Sequence, residues 1–131
     1  MESKGYAALA GNTPLEPFTF TRRDLGIKDV ALDISFGGIF HSDTHQVREE
    51  WGASLFPMVP GHEIVGRVTA IGSSVSKFKV GDLIGIGVFI DSCRECENCL
   101  AGKQQYCLGG MTGTYNTYER NTKNIAFGGY S

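Results

Sequence analysis

All four cysteines of the chain lie close together and have the spacing of a metal site. They are Cys93, Cys96, Cys99 and Cys107, in the pattern C-x2-C-x2-C-x7-C. Four thiolates at this spacing can surround one zinc ion as a tetrahedron, and such a site has no open position for a substrate. Two disulfides would need an oxidising compartment, and a C-x-x-C redox centre normally begins a helix of a βαβ unit, which this pattern lacks. We therefore expect a structural zinc site that supports folding and does no chemistry.

The composition is that of one mixed-charge globular domain covering residues 1–131. Hydrophobic residues make up 41% of the chain, and 12 basic side chains nearly balance 14 acidic ones. This balance leaves no basic stripe for nucleic acid, and no apolar run approaches the length of a membrane span. The first residues lack the apolar core of a signal peptide, so we expect a cytoplasmic protein.

The elements that would position these residues are mainly strands. Eighteen glycines, scattered through apolar segments, predict the tight turns and strand bends of a small, irregular β-barrel. Apolar alternation and turn residues predict strands at 19–21, 30–36, 64–71 and 83–90, and a hairpin at 78–84. One short helix is predicted at 43–51, with Ser42 or Asp43 as its cap and Gly52 as its end, while Gly37 and Gly38 are expected to break the strand before it.

Two segments depart from the strand pattern. Residues 91–108 are polar and cysteine-rich, which predicts a projecting lobe that hydrophobic burial alone cannot fold. Residues 111–125 are rich in Thr, Asn and Tyr and predict a surface excursion. Residues 128–131 look like the opening of another strand, so we expect the chain to be a fragment of a longer protein.

A second motif follows the predicted helix. Residues 61–66, with Gly72 and Val75, have the spacing G-H-E-x2-G-x5-G-x2-V. This pattern resembles the signature of zinc-containing alcohol dehydrogenases of the medium-chain dehydrogenase/reductase superfamily, in which the structural-zinc lobe follows in the same order. Finer matches resemble the plant cinnamyl alcohol dehydrogenases and the related bacterial broad-range aldehyde reductases, and they are residues 41–46, 57–60, 112–116 and 128–131.

The resemblance implies both a fold and a reaction. It implies a GroES-like, partly open β-barrel with short helices and a zinc lobe, from which the nucleotide-binding Rossmann domain is absent. It also implies hydride transfer between NADP(H) and a small alcohol or aldehyde, with a zinc ion binding the substrate oxygen. Full-length members of this family are expected to be homodimers.

The resemblance also implies roles for six polar side chains and for two residues of the pocket wall. His62 would be a ligand of the catalytic zinc, Glu63 a carboxylate that can approach it, and Asp43 the acceptor that orients the His62 ring. Ser42 and His45 would transfer the proton from the substrate. His41 would contact the cofactor phosphates. Trp51 and Leu55 would form walls of the substrate pocket. Outside the motif each has an ordinary structural interpretation, such as a helix cap, an exposed helix residue or a core histidine.

The chain departs from the family pattern at the catalytic zinc. The family's pattern C-G-[VI]-C-H-[ST]-D falls on residues 37–43, so its ligand cysteine is replaced by Phe40 and another, non-ligand cysteine by Gly37. Phenylalanine has no lone pair to give a metal, and the third family ligand would lie beyond Ser131. The string at 85–90 has two glycines of a G-x-G-x-x-G turn but Ile90 in place of the third, so we reject it as a dinucleotide site.

Three hypotheses follow from the sequence. The first is the N-terminal catalytic-domain portion of a zinc-dependent, NADP(H)-linked alcohol dehydrogenase or aldehyde reductase, inactive as residues 1–131 alone. The second is a non-catalytic, zinc-stabilised remnant or interaction module. The third, less favoured, is a thiol redox or metal-sensing protein that uses the four cysteines.

Overall fold

The computed structural model describes all 131 residues. Seven strands and two short helices form its regular structure. In chain order they are β1 (Glu2–Ala7), β2 (Glu16–Thr21), β3 (Val30–Gly38), α1 (His41–Val47), β4 (Glu63–Ile71), β5 (Leu83–Ile86), β6 (Phe89–Asp91), α2 (Glu97–Leu100) and β7 (Thr112–Gly113), with a 3₁₀ turn at Gln104–Tyr106 between the last two.

The strands form three small antiparallel sheets. They pair in the orders β1-β2, β3-β4-β5 and β6-β7, and the three sheets do not join into one closed barrel. The expected mainly-β fold with an incomplete barrel is therefore confirmed. Because every strand pair is antiparallel, the chain contains no βαβ unit, which agrees with the rejection of the glycine string at 85–90.

Strand β4 is the centre of the largest sheet and has one buried face. Ile64, Gly66 and Val68 are buried, whereas the residues between them are more exposed. This alternation follows from the two-residue period of a strand. Its partner β3 bulges at two places, between Ala31 and Leu32 and between Ile34 and Phe36.

The main apolar cluster joins the two ends of the chain. Phe20 of β2 packs with Ala7 and Val59, and its ring lies 4.4 Å from that of Phe127. The backbone N–H of Tyr6 donates to the carbonyl of Tyr130 at 2.8 Å. Residues far apart in sequence thus complete one core.

Arg22 fastens the last residues of the chain against β2. Its guanidinium lies 5.0 Å from the Phe20 ring and donates to the carbonyls of Phe127 and Gly128 and to the hydroxyl of Ser131. Burial lowers the pKa of Arg22 from its ordinary value, and the charge of Glu119 opposes that effect. The side chain therefore connects the end of β2 to residues 127–131 through three hydrogen bonds.

The structure extends the strands that the sequence predicts. Strand β1 was not predicted because its residues lack apolar alternation, and it forms by pairing with β2, which itself begins at Glu16 instead of residue 19. Strand β3 continues through Gly37 and Gly38, so the predicted break at these glycines is wrong. Gly38 pairs with Glu63, whose carboxylate packs so closely that a Cβ at Gly38 would collide with it.

Three further predictions need correction. Helix α1 begins at His41 and ends at Val47, so neither Ser42 nor Asp43 is its cap and Gly52 does not end it. The segment 83–90 is two strands interrupted at Gly87, and β6 leaves the sheet of β5 to pair with β7. A turn does form at Gly81, but residues 78–80 are not a strand, because β5 pairs with β4 instead. No helix has the length and apolar character needed to cross a membrane.

The Phe20 cluster gives the first prediction. Phe20→Ala removes a ring that is 7% exposed, and we expect it to lower the free energy of unfolding by about 3–5 kcal/mol, because a cavity replaces its contact with Phe127. Urea denaturation followed by circular dichroism measures the loss. Phe36→Ala is the matched control, since Phe36 is 74% exposed and its removal is expected to cost less than about 1 kcal/mol. Equal losses in the two variants would contradict the assignment of this core.

Candidate functional site

Asp43 is a buried carboxylate in the first turn of α1. It is only 4% exposed, and its Oδ2 accepts the backbone N–H of Phe40 at 3.1 Å. Phe40 is the residue before the helix, so this bond satisfies one of the N–H groups that a helix start leaves without a partner. Asp43 therefore stabilises the helix start from inside the first turn.

Three side chains converge on the same carboxylate. The Tyr115 hydroxyl donates to Oδ1 at 2.7 Å, and the Tyr130 hydroxyl donates to Oδ2 at 2.7 Å. The Nδ1 atom of His62 lies 3.3 Å from Oδ1. Each oxygen of Asp43 thus has two hydrogen-bond partners. The carboxylate connects the helix, the segment after β7 and the end of the chain.

These hydrogen bonds set the ionisation of the group. Burial raises the pKa of Asp43, but the hydroxyls of Tyr115 and Tyr130, the N–H of Phe40 and the nearby His62 outweigh burial and hold that pKa below its ordinary value. The same contacts act in reverse on the tyrosines. Burial and the bond to Asp43 raise the pKa of Tyr115 and of Tyr130, so both hydroxyls keep their protons.

A glycine turn brings His62 to Asp43. Gly61 has a φ of +104°, a backbone conformation that other residues rarely adopt, and a Cβ there would lie 2.6 Å from a ring carbon of Tyr130. The backbone of 59–61 pairs with 128–130 through three N–H···O bonds of 2.8–3.0 Å. His62 and Tyr130 therefore reach Asp43 from neighbouring segments that are fixed to each other.

The Phe40 ring lies against His62. The two ring centroids are 4.8 Å apart and the planes are tilted by 51°. Phe40 is 44% exposed, so its ring covers His62 on one side and contacts solvent on the other. The position that the family resemblance gives to a ligand cysteine is thus filled by an aromatic ring with no atom to offer a metal.

The other two histidines stack on the surface of α1. The rings of His41 and His45 are nearly parallel at 4.6 Å, and the Trp51 ring follows at 4.8 Å from His45. The Nδ1 atom of His45 also pairs with the carboxylate of Glu50. None of these rings contacts His62 or hydrogen-bonds to Asp43, so the structure separates this stack from the buried carboxylate cluster.

The remaining predicted site residues have fewer contacts. Ser42 is half-buried and its hydroxyl makes no hydrogen bond within the chain, and Glu63 is exposed at the start of β4. Trp51 is 61% exposed, and neither it nor Leu55 lines the 440 Å³ open cavity between α1 and residues 12–15. One wall of that cavity is formed by Asp43 and Tyr130.

The four cysteines converge in the lobe at 91–108. Their Sγ atoms all lie within 4.8 Å of one another, and those of Cys93 and Cys99 are 3.8 Å apart. A disulfide needs about 2.05 Å, whereas two sulfurs of a tetrahedral site with Zn–S bonds of about 2.3 Å are separated by about 3.8 Å. The donor set and the spacing therefore fit a zinc ion, and the four cysteines would hold it.

Backbone N–H groups surround these sulfurs. The N–H groups of Glu95 and Cys96 point at Cys93 and lower its pKa to about 6, and those of Cys99 and Leu108 lower the pKa of Cys96. The N–H of Cys93 lowers the pKa of Cys107, but burial and the neighbouring sulfurs outweigh it and raise that pKa to about 11. Loops whose N–H groups face sulfur stabilise thiolate, which is the form that binds a metal.

The residues present do not fit a second zinc at His62. Throughout residues 1–131, the cysteine cluster is the one group of three or more His, Cys, Asp or Glu side chains whose ligand atoms converge. His41, His45 and Glu63 do not assemble a substitute set around His62. Asp43 is already saturated with hydrogen-bond donors, and Phe40 contributes no ligand.

Sequence reasoning missed the two tyrosines. The segment 111–125 was predicted as a surface excursion, but Thr112 and Thr114 are 5% and 4% exposed, and Tyr115 reaches Asp43. Thr114 is anchored because its hydroxyl donates to the carbonyl of Gly87 and its N–H donates to Val88. The repeated Thr spacing at 112 and 114 was the available signal, since it matches one buried face of an extended segment.

The chain is similar to known alcohol dehydrogenases and aldehyde reductases over nearly its whole length. Residues 26–130 match the family model described as the alcohol dehydrogenase GroES-like domain. NADP-dependent alcohol dehydrogenase C 1 of Mycolicibacterium smegmatis is 57% identical over 127 residues, which are 96% of this chain and 36% of the relative. Aldehyde reductase YahK of Escherichia coli is 48% identical over 131 residues, which are 100% of this chain and 37% of the relative. Cinnamyl alcohol dehydrogenase 8 of Arabidopsis thaliana is 47% identical over 130 residues, which are 99% and 36%.

Solved structures agree with these relatives. The crystal structure of CAD from Helicobacter pylori complexed with NADP(H) has a TM-score of 0.92 and 38% identity, covering 98% of this chain and 37% of that protein. The cinnamyl alcohol dehydrogenase SbCAD4 of Sorghum bicolor has a TM-score of 0.90 and 40% identity, covering 98% and 36%. The chain therefore spans somewhat more than a third of the length of the relatives that it matches.

The carboxylate cluster gives a pH-dependent prediction. Because the pKa of Asp43 is lower in the folded chain than its unfolded value of about 3.9, the stability that it contributes is complete above about pH 4 and is lost as the pH falls through the lowered folded value. Asp43→Asn places an amide donor against groups that already donate, and we expect a loss of about 1–3 kcal/mol at neutral pH. Urea titrations of both proteins at several pH values should show this difference shrinking in acid. Asp33→Asn, at an exposed site in β3, should show no such change, and a pH-independent difference for Asp43→Asn would contradict the assignment.

Proposed function

The chain belongs to the family of alcohol dehydrogenase GroES-like domains, and from this premise we propose that it is the substrate-side domain of an NADP(H)-linked alcohol dehydrogenase or aldehyde reductase. The observation that carries the proposal is the match of 96% of the chain, at 57% identity, to an NADP-dependent alcohol dehydrogenase. A buried aspartate beside the histidine of the Gly-His-Glu motif supports it.

The reaction of the whole protein is part of the proposal. Small alcohols and aldehydes are the proposed substrates, since relatives carry the names alcohol dehydrogenase, aldehyde reductase and cinnamyl alcohol dehydrogenase. NADP(H) would supply the hydride through a dinucleotide-binding domain, which residues 1–131 do not contain. We also propose a cytoplasmic protein that works as a homodimer when a second domain is present.

Six side chains of this chain would take part in the active site of the whole protein. Asp43 would orient His62, and Glu63 would lie at the edge of the same site. His41 would contact the cofactor phosphates. Ser42 would hold the substrate oxygen and pass its proton toward His45, and the half-buried hydroxyl of Ser42, which has no partner in the chain, is available for such a bond.

The four cysteines would hold one structural zinc. The separation of their sulfurs and the N–H groups that surround them support this assignment. A four-sulfur site has no open position, so the ion would stabilise the lobe at 91–108 without taking part in the reaction.

Metal analysis tests this assignment. We expect one zinc per chain in the unaltered protein and none in a Cys93→Ser/Cys99→Ser double variant after dialysis against a chelator, because too few thiolates remain to hold the ion. Plasma emission spectroscopy measures the metal, and hydrogen exchange measures the loss of order in the lobe. Leu100→Ala, in the same lobe and 76% exposed, is the control that should keep its zinc. Retention of zinc by the double variant would contradict the assignment.

Residues 1–131 alone would be inactive, both because the cofactor domain is missing and because of Phe40. Its ring lies on His62, where the family places a cysteine, and no third ligand of the catalytic zinc is present. We therefore expect residues 1–131 to show no NADPH-dependent reduction of an aldehyde such as cinnamaldehyde. Two zincs per chain, with one lost in His62→Ala, would contradict this view of Phe40.

A chimera tests the function itself. Residues 1–131 would replace the matching N-terminal third of the Escherichia coli aldehyde reductase, so that a complete dinucleotide-binding domain is supplied. We expect no NADPH oxidation with Phe40, and a gain of at least about 100-fold with Phe40→Cys, accompanied by a second zinc. Phe36→Cys, the same substitution at a 74% exposed position, should give neither effect. A folded Phe40→Cys chimera that binds a second zinc but has no activity would overturn the proposed function.

The aromatic replacement also supports a second candidate function. A chain with a complete cysteine cluster but a blocked His62 site has the features of a zinc-stabilised module without catalysis. In that case the Phe40→Cys chimera would fold and remain inactive. Reversible oxidation of the cysteines in folded, zinc-free protein would instead favour a thiol redox function.

A further inference from the structure

We propose that Tyr115 and Tyr130 are positioning residues that fix the tautomer of His62. They hold the Asp43 carboxylate so that His62 carries its proton on Nδ1 and leaves Nε2 as the nitrogen with a lone pair. The inference goes beyond the proposed function, because it concerns the state of one imidazole ring and holds whether or not the chain takes part in hydride transfer.

Four groups surround the Asp43 carboxylate within hydrogen-bond distance. An ionised carboxylate has about four lone-pair positions and no donor. Here Oδ1 receives the Tyr115 hydroxyl and faces His62, while Oδ2 receives the Tyr130 hydroxyl and the backbone N–H of Phe40. All four positions are filled. A proton on Asp43 would displace one of these donors, and the N–H of Phe40 cannot change its role.

The His62 ring faces this carboxylate through its Nδ1 atom. Its Nδ1 atom faces an oxygen that can only accept, at 3.3 Å, so Nδ1 must be the atom that bears the hydrogen. A neutral imidazole has one protonated nitrogen, and Nε2 is then an acceptor. The opposite tautomer would set two lone pairs against each other in a site where the His62 side chain is only 13% exposed.

The two tyrosines hold the carboxylate of Asp43 from both of its oxygens. The terminal torsion of an aspartate has no strong preference for one angle. The hydrogen-bond partners of the carboxylate therefore set the orientation of its plane. Tyr115 and Tyr130 each bind a different oxygen at 2.7 Å, shorter than the contact to His62. The tyrosines therefore fix the carboxylate plane, and the His62 ring aligns with the lone pair of Oδ1 that Tyr115 leaves free.

The two tyrosines also come from independent parts of the chain. Tyr115 follows β7, where Thr114 is anchored to the backbone of 87–88, and Tyr130 lies in the segment paired with 59–61. Loss of one hydroxyl leaves the other in place. Tyr→Phe at either position keeps the ring and removes only the donor, so packing and hydrogen bonding can be separated.

The test is the ¹⁵N–¹H spectrum of the histidine side chains. Long-range correlation spectra of the zinc-loaded chain, at a pH of about 9 where ordinary imidazoles are neutral, distinguish the two tautomers of each ring. His62→Gln assigns the His62 signals among the three histidines. We expect His62 to be in the Nδ1–H form, and the ratio of Nε2–H to Nδ1–H to rise about tenfold in Tyr115→Phe and in Tyr130→Phe.

Tyr118→Phe is the matched control. Tyr118 is 50% exposed and does not contact Asp43, so its variant should leave the His62 tautomer unchanged. Backbone amide spectra show whether each variant is folded, and the single variants are read separately, so one that unfolds does not prevent the test of the other. The wild-type spectrum tests the tautomer without any substitution. An Nε2–H form in the wild type, or an unchanged Nδ1–H form in both folded tyrosine variants, would overturn the proposal. Because no turnover is measured, either failure is distinct from an inactive chimera.

Discussion

The buried charge of Asp43 is the constraint on which the arrangement of this site depends. Removing a carboxylate from water costs several kcal/mol unless hydrogen bonds replace its hydration. Here the replacements come from the start of α1, the Gly61 turn, the segment after β7 and the last residues of the chain. Each of these segments is irregular, and their hydrogen bonds to the same carboxylate hold them in one geometry.

The two polar centres of the chain differ in how they are assembled. The cysteine cluster draws all its ligands from one lobe, so its completeness depends on a short stretch of sequence. The Asp43 site draws on residues from 40 to 130, and the Phe40 ring lies against His62 while the hydrogen bonds of Asp43 remain intact. A cluster whose residues are close in sequence thus depends on fewer segments of the chain than a site assembled from distant ones.

The sequence predicted the features that depend on residue type and local spacing. The four-sulfur convergence, the strand at β4 and the turn at Gly81 are of this kind, because neighbouring residues decide them. Strand β1 and the continuation of β3 through Gly37 and Gly38 were missed because pairing across the sheet overrides weak local preference. Tyr115 and Tyr130 were missed for a related reason. Their roles depend on Asp43, 72 and 87 residues away in sequence, and the hydroxyl of a tyrosine gives no local sign of its acceptor.

The hydrogen bonds from Arg22 to residues 127–131 limit the order in which parts of the domain can fold. A ribosome releases the β1–β2 hairpin long before it makes Phe127 and Tyr130, and an isolated two-stranded hairpin is at best marginally stable in water. Phe20 can pack with Ala7 and Val59 earlier, but its contact with Phe127 forms only after more than a hundred further residues are translated. Closure of this core therefore depends on contacts between residues more than a hundred positions apart in sequence, which makes it slower to form than a core built from neighbouring segments.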